Sequence, residues 1–274
     1  MVSKTKGSNA AKLKPNKSLL MPTLDSLLSS PLLFCLLIMA AFLVGLSKGG
    51  LPAIGMLSVP SLSLVMSPMA AAVLILPIYI LSDVVGVWLY RREYSAPNIK
   101  VLIPAGCLGV FIGWLTAALV SDAMVSLLIG IMGITFCLYT WLKKQAAGVA
   151  KPAHIGKGLF WGTLSGFTSF VSHAGAPPFQ VYTLPQKLPK MVFAGTSTLV
   201  FAATNLAKVI PYSNLYPYTA STFKVCAVLL PVAALGTVCG KKLIEKLSEK
   251  WFYLAVQIAL FLISIKLVVS AIPI

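Results

Sequence analysis

Two short stretches carry the residue types with which a protein holds an anion. The first is Gly45-Leu46-Ser47-Lys48-Gly49-Gly50-Leu51-Pro52. Its glycines let one helix end, and Pro52 is tolerated in the first turn of the next. A helix N-terminus presents unpaired N–H groups and the positive end of the helix dipole, which suits an anion. Lys48 adds a full positive charge. The plainer alternative is a surface loop with a snorkelling lysine. The second stretch, SGFTSFVSHAGAPP, runs from Ser165 to Pro178. Ser165, Ser169 and Ser172 are spaced by four and three and share one helix face. That face ends at His173 and a second break built from Gly175, Pro177 and Pro178. Histidine can donate to an oxyanion and can carry a proton near neutral pH. The alternative is a set of small residues packing two helices closely, with His173 at headgroup depth.

A third set is polar within apolar runs: Asp83, Asn205 and Lys208. Charge in hydrocarbon is expensive, so such groups face a cavity and a partner. Asp83 is expected to pair with Lys48 or Lys208; a purely structural ion pair is the alternative. The expected anion-binding residues are therefore Ser47, Lys48, Gly49, Gly50, Ser172, His173, Gly175, Asn205 and Lys208, with Asp83 balancing charge or coupling. Lys266 reads as snorkelling. Asp122 and Glu249 follow Ser121 and Ser248 and read as N-terminal caps and dipole partners. No catalytic residue, metal or cofactor is expected. Cys35, Cys107, Cys137, Cys226 and Cys239 each lie in an apolar run without C-x-x-C spacing. Walker, nucleophile-elbow and zinc signatures are missing from the sequence.

These residues must be held by membrane helices. The chain has 274 residues, 58% of them apolar, a mean hydropathy of +0.91 and only 10% charged residues. A soluble domain carries roughly 25% charged residues, so a soluble enzyme or a disordered regulator is excluded. Basic residues number 22 against 6 acidic, a net charge of +16. They fall between apolar runs, which reads as topogenic charge rather than a nucleic-acid footprint. A cationic cleft would also favour anions.

Apolar runs occur at about 31–47, 50–66, 69–90, 101–120, 122–142, 156–172, 174–186, 190–211, 221–240 and 250–271. At roughly 20 residues per crossing, the length allows eight to ten spans, an all-α polytopic architecture. Runs 50–66 and 174–186 are rich in proline and read as broken or re-entrant. Residues 1–30, with five lysines, read as a polar basic tail rather than a secretory signal.

The chain also repeats itself. LSDVVGVWLY (81–90) aligns with ATNLAKVIPY (203–212), placing Asp83 on Asn205 and Tyr90 on Tyr212. IPAGCLGVFIG (103–113) aligns with LPVAALGTVCG (230–240), and SKGGLP (47–52) with HAGAPP (173–178). The near-constant shift of 122 to 127 indicates two homologous repeats, 31–144 and 156–274, joined by a loop at 145–155. With five crossings per half, 14 basic residues in short loops fall inside against Lys224 alone, while the five-lysine tail falls outside. With the two broken segments not crossing, the tail falls inside but 241–250 falls outside; including the tail, the counts are 14:6 and 13:7. Short loops weigh most, which favours the first, inverted arrangement, also a recurrent transporter plan.

At this point the chain resembles the TauE/SafE family of sulfite and organosulfur anion exporters. The resemblance rests on GLSKGGLP (45–52) with Pro60 and Pro68, SGFTSFVSHAGAPP (165–178) and GTSTLVFAATNLAKVIPY (195–212), and covers about 31–271. It implies a multi-pass cell-membrane carrier, in bacteria of the inner membrane, for small sulfur-containing anions. It implies that Lys48, Gly49, Gly50 and Pro52, then His173, Gly175 and Pro177, then Asn205 and Lys208 match the family's motifs. Ser47-Lys48 stands where many relatives have only glycines, so substrate choice can differ. The resulting expectation is a secondary carrier exporting a small anion by alternating access at a midplane site between the repeats. An anion channel or a membrane-embedded enzyme is the alternative. The expected partners are that anion and the lipid bilayer, not nucleic acid; oligomeric state is left open.

Overall fold

The computed structural model describes residues 30–66, 68–116, 121–142, 150–215 and 217–271. The tail 1–29 and residues 143–149, with Lys143, Lys144 and part of the expected connector, lie outside the described residues.

Every regular element among the described residues is helical. The order is α1 (Pro31–Lys48), a 3-10 turn (Pro52–Leu57), α2 (Ser58–Leu62), α3 (Pro68–Tyr90), α4 (Ala96–Thr116) and α5 (Asp122–Leu142). It continues with α6 (Ile155–Ser172), α7 (Ala176–Thr183), a 3-10 turn (Leu184–Gln186), α8 (Lys190–Ala207), α9 (Val209–Leu215), α10 (Ala220–Lys246) and α11 (Glu249–Ala271). Five helices are long and apolar enough to cross a membrane, or six when α8 and α9, bent by 43°, count as one span. That is fewer than the eight to ten spans expected. The two broken runs, where 50–66 forms only short helices and α7 has 8 residues, account for ten becoming eight. The rest of the difference is α5, which is apolar and long only over Ser126–Leu142, and α6, which is not apolar enough to count. Large apolar side chains such as Trp88, Leu115, Leu206 and Trp251 are exposed, as a lipid-facing surface requires.

Local signals set the ends. Ser30 accepts from Leu33 N ahead of Pro31, and Thr219 forms a capping box with Thr222. Ser121 and Ser248 accept from Met124 N and Trp251 N at the starts of α5 and α11, and Glu249 stands in the first turn of α11, where it suits the helix dipole. Glu249 also receives Lys190 N on both carboxylate oxygens, while Lys190 Nζ donates to the last carbonyls of α10. Three chain segments are thereby tied at one end of the bundle. Gly50 has φ +109°, a conformation that side-chain-bearing residues avoid.

Helix directions follow from which residues meet. Gly45 packs on Gly236 and Gly49 on Gly240, so α1 and α10 run the same way. A Cβ on Gly45 would collide with the Ala233 carbonyl, so the close approach needs glycine. Gly158 faces Val101 and Gly113 faces Phe170, so α4 and α6 also run the same way. By contrast, Asp83 meets Asn205 and Tyr90 meets Gly195, making α3 and α8 antiparallel. Gly130 meets Val268 and Cys137 meets Gln257, making α5 and α11 antiparallel as well.

The C-terminal ends of α1 and α3 meet, through Lys48 with Asp83 and the Tyr90 hydroxyl on Gly49 O. These two helices therefore share a direction, and residues 49–66 bring the chain back between them. In the second half, the Tyr182 hydroxyl bonds to His154, so residues 174–186 return toward the start of α6. Of the spans, α3 is the most enclosed, with 67% of its most apolar stretch buried, against 28% for α11. The helix carrying Asp83 is thus central and α11 peripheral.

Candidate anion site

Five elements converge on the residues singled out above: the end of α1, the middle of α3, the end of α6, the start of α7 and the last turns of α8. Lys48 Nζ lies 2.7 Å from Asp83 Oδ1. Asn205 Nδ2 donates to Asp83 Oδ2 at 2.7 Å, so the aligned positions Asp83 and Asn205 touch each other across the halves. Lys48 also lies over the Tyr79 ring, 5.0 Å from its centroid. Of the two partners expected for Asp83, the geometry selects Lys48.

Lys208 stands where α8 bends into α9 and is 0% exposed. Its ammonium has three acceptors: Ser169 O at 3.2 Å, Ser169 Oγ at 3.1 Å and His173 Nδ1 at 3.1 Å. His173 Nε2 is 3.1 Å from Ala72 O, which only accepts. Nε2 therefore carries the ring proton, and Nδ1 is free to accept from Lys208. The imidazole stacks on Tyr79, with centroids 4.8 Å apart and planes at 6°. Tyr79 is fixed in turn by its hydroxyl, which donates to Gly55 O at 2.8 Å. His173 also caps α6 with φ 53°, a left-handed position usually given to glycine. An imidazole held there by contacts on both ring nitrogens and on its face is a feature associated with functional sites.

The charge count of the cluster is the informative quantity. Asp83 is the acidic residue inside a span among the described residues; Glu93, Glu245 and Glu249 stand in a loop or at helix ends. Asp83 is taken by Lys48, and no carboxylate lies within ion-pair distance of Lys208 among the described residues. With both lysines and the aspartate charged, the cluster has one positive charge in excess. A cavity of about 30 Å³, room for about two waters, lies beside these groups; Lys208 is not in its lining and reaches it through its contacts with Ser169 and His173. Ser47, Lys48, Tyr79, Ser169, His173 and Asn205 are among its lining.

The other expected residues fall around this centre. Gly49 and Gly50 form the turn behind Lys48, with Gly49 O accepting from Tyr90. Gly175 O accepts from Ser165 Oγ, which fastens the start of α7 to α6. Ser172 Oγ makes no hydrogen bond among the described residues and is not part of the cavity lining. The anion-binding capacity expected of the helix starts is reduced by chemistry: Pro177 and Pro178 have no N–H, and Phe179 N donates to Gly175 O. Sequence reasoning passed over Tyr79, Thr198 and Phe201, which also line the cavity. Tyr79 and Phe201 look like any aromatic in an apolar run; the α3–α8 pairing that exposes their role is a long-range contact.

The fold and this centre define a multi-pass membrane protein with a buried polar cluster of two lysines, an aspartate, an asparagine and a histidine. A family model described as Sulfite exporter TauE/SafE matches residues 37–267, and the chain belongs to that family. Its members are membrane transporters, not enzymes, and sulfite export is the family function. No curated protein and no solved structure matches the chain. Among the described residues, no group of three or more His, Cys, Asp or Glu side chains is placed to hold a metal.

Proposed function

We propose that the protein is a secondary carrier that exports sulfite or a related small sulfur oxyanion across the cell membrane, the inner membrane in a bacterium. The anion binds at the central cluster. Lys208 supplies the uncompensated positive charge, and His173, Ser47, Ser169 and Asn205 supply hydrogen-bonding groups around it. Lys48 and Asp83 neutralise each other while the site is empty, and Lys48 is the second cation available to the anion. The observation that carries this reading is Lys208 itself, fully buried, bonded to neutral acceptors and with no carboxylate within ion-pair distance among the described residues. A buried charge of that kind marks an ion pathway by default.

The two halves, 31–144 and 156–274, act as inverted repeats, each with a proline-rich broken segment at 50–66 or 174–186. The antiparallel packing of aligned helices, α3 on α8 and α5 on α11, supports inversion, because repeats related by an axis along the membrane normal would pair them parallel. On this reading each half has five crossings. Arg91, Arg92, Lys100, Lys157, Lys187, Lys190, Lys242 and Lys250 share one end, the cytoplasmic one by the positive-inside rule. Alternating access has the halves move against each other to open the small, buried central cavity to one side and then the other.

The test is saturable counterflow of labelled sulfite in proteoliposomes. Lys208→Met should lower the rate by about ten- to a hundredfold, the scale of a lost charge-assisted contact. Undiminished counterflow in a folded Lys208→Met protein contradicts the assignment, and a purely ohmic anion current contradicts the carrier.

A further inference from the structure

A second cavity, about 1090 Å³ in volume, opens at the basic end between α5, α6, α7 and α11. Lys151, His154, Lys157 and Lys250 stand along it, with Glu249 beside them. Its deeper wall includes Val181, Tyr182 and Gln186, from the far end of α7 and the turn after it. The other end of α7 supplies Ala176 to the central cavity. An eight-residue helix is about 12 Å long, so α7 forms one wall shared by both cavities.

Between those two ends along α7 stands Gln180, which lines neither cavity with the helix in this position. It is 0% exposed, and neither Nε2 nor Oε1 has a hydrogen-bond partner among the described residues. The surrounding polar side chains are satisfied: Thr183 Oγ1 donates to Phe179 O, and Gln186 and Asn98 exchange a reciprocal amide pair. Gln180 is therefore an exception within its own segment. A buried amide left unpaired is costly, and its retention calls for something that pairs with it in another state.

We propose that the lysine-lined cavity is the inner vestibule of the translocation route, and that Gln180 is the polar station between vestibule and central cavity. The lysines concentrate small oxyanions at the mouth. When α7 shifts, the Gln180 amide N–H donates to an oxyanion oxygen in transit, and Lys208 receives the anion next. This inference rests on the central cluster being the anion site.

The test uses the purified full-length chain with sulfite as probe, read by sulfite-induced thermal stabilisation and by counterflow. Gln180→Met removes both polar ends at similar length. It should melt at the same or a higher temperature, keep the sulfite-induced rise and lose about tenfold in flux. Gln180→Asn, which keeps the amide on a shorter arm, should retain more flux than Gln180→Met. Normal flux in Gln180→Met overturns the proposal. So does a parallel fall in melting temperature and flux in both variants, since the amide then has a structural partner. Lys208→Met separates the two readings. If it keeps the sulfite-induced rise, the central site fails; if it loses that rise while Gln180→Met transports normally, only the relay fails.

Discussion

Lys48 and Asp83 show why a buried ion pair must be judged by what remains when one member is removed. Their side chains are 4% and 6% exposed. Leaving either alone strands a charge in apolar surroundings, at about 3–5 kcal/mol. Lys48→Met and Asp83→Leu should each lower the melting temperature in detergent markedly, and the double variant should lose less than the sum. Additive losses in this double-mutant cycle would show that the two do not act as a pair. The same logic sets Lys208 apart. Its three neutral acceptors satisfy its hydrogens but give it no ion pair, which is why the proposed carrier assigns it to the anion. Lys48, Asp83, Asn205, Lys208 and His173 were legible in the sequence because polar residues in apolar runs are conspicuous. Tyr79 and Thr198 were not, since an aromatic or a hydroxyl in a membrane helix is ordinary until its neighbours are known.

At the scale of elements, close helix packing carries much of the specificity. Gly109 lies against the backbone of Thr163, and an added Cβ would collide with that carbonyl. Gly156 has nothing nearer than 3.5 Å to an added Cβ. Gly109→Ala should therefore destabilise by about 1–3 kcal/mol, with a lowered melting temperature, whereas Gly156→Ala should be close to neutral. Equal effects at the two positions would contradict the packing described. The sequence located most helices within a few residues, because apolar run length and proline are strong local signals. It read 50–66 as a proline-rich broken or re-entrant run, where the chain forms a 3-10 turn and a short helix, and 190–211 as one run, where the chain bends by 43° at Lys208. The residues on either side of Lys208 are neither proline nor glycine, so its immediate neighbours do not signal the bend.

For the whole molecule, the pairing of first helix with fourth and of third with third joins the halves through one interface. That interface contains the polar cluster, so the proposed movement of 31–144 against 156–274 would alter the site. The distribution of basic residues predicts sidedness: a cysteine at exposed Ala96 should react with an impermeant thiol reagent only from the cytoplasmic side, and one at exposed Pro217 only from the other. Reaction of both from one side would rule out the five-crossing arrangement.

The most direct measurement is equilibrium stabilisation by sulfite. Ligand bound by the folded state raises its stability as concentration exceeds the dissociation constant, by about 2.7 kcal/mol at a hundredfold excess. Sulfite should raise the melting temperature of the unaltered protein in a saturable manner and leave folded Lys208→Met unmoved. An equal rise in both would place the anion elsewhere and contradict the account.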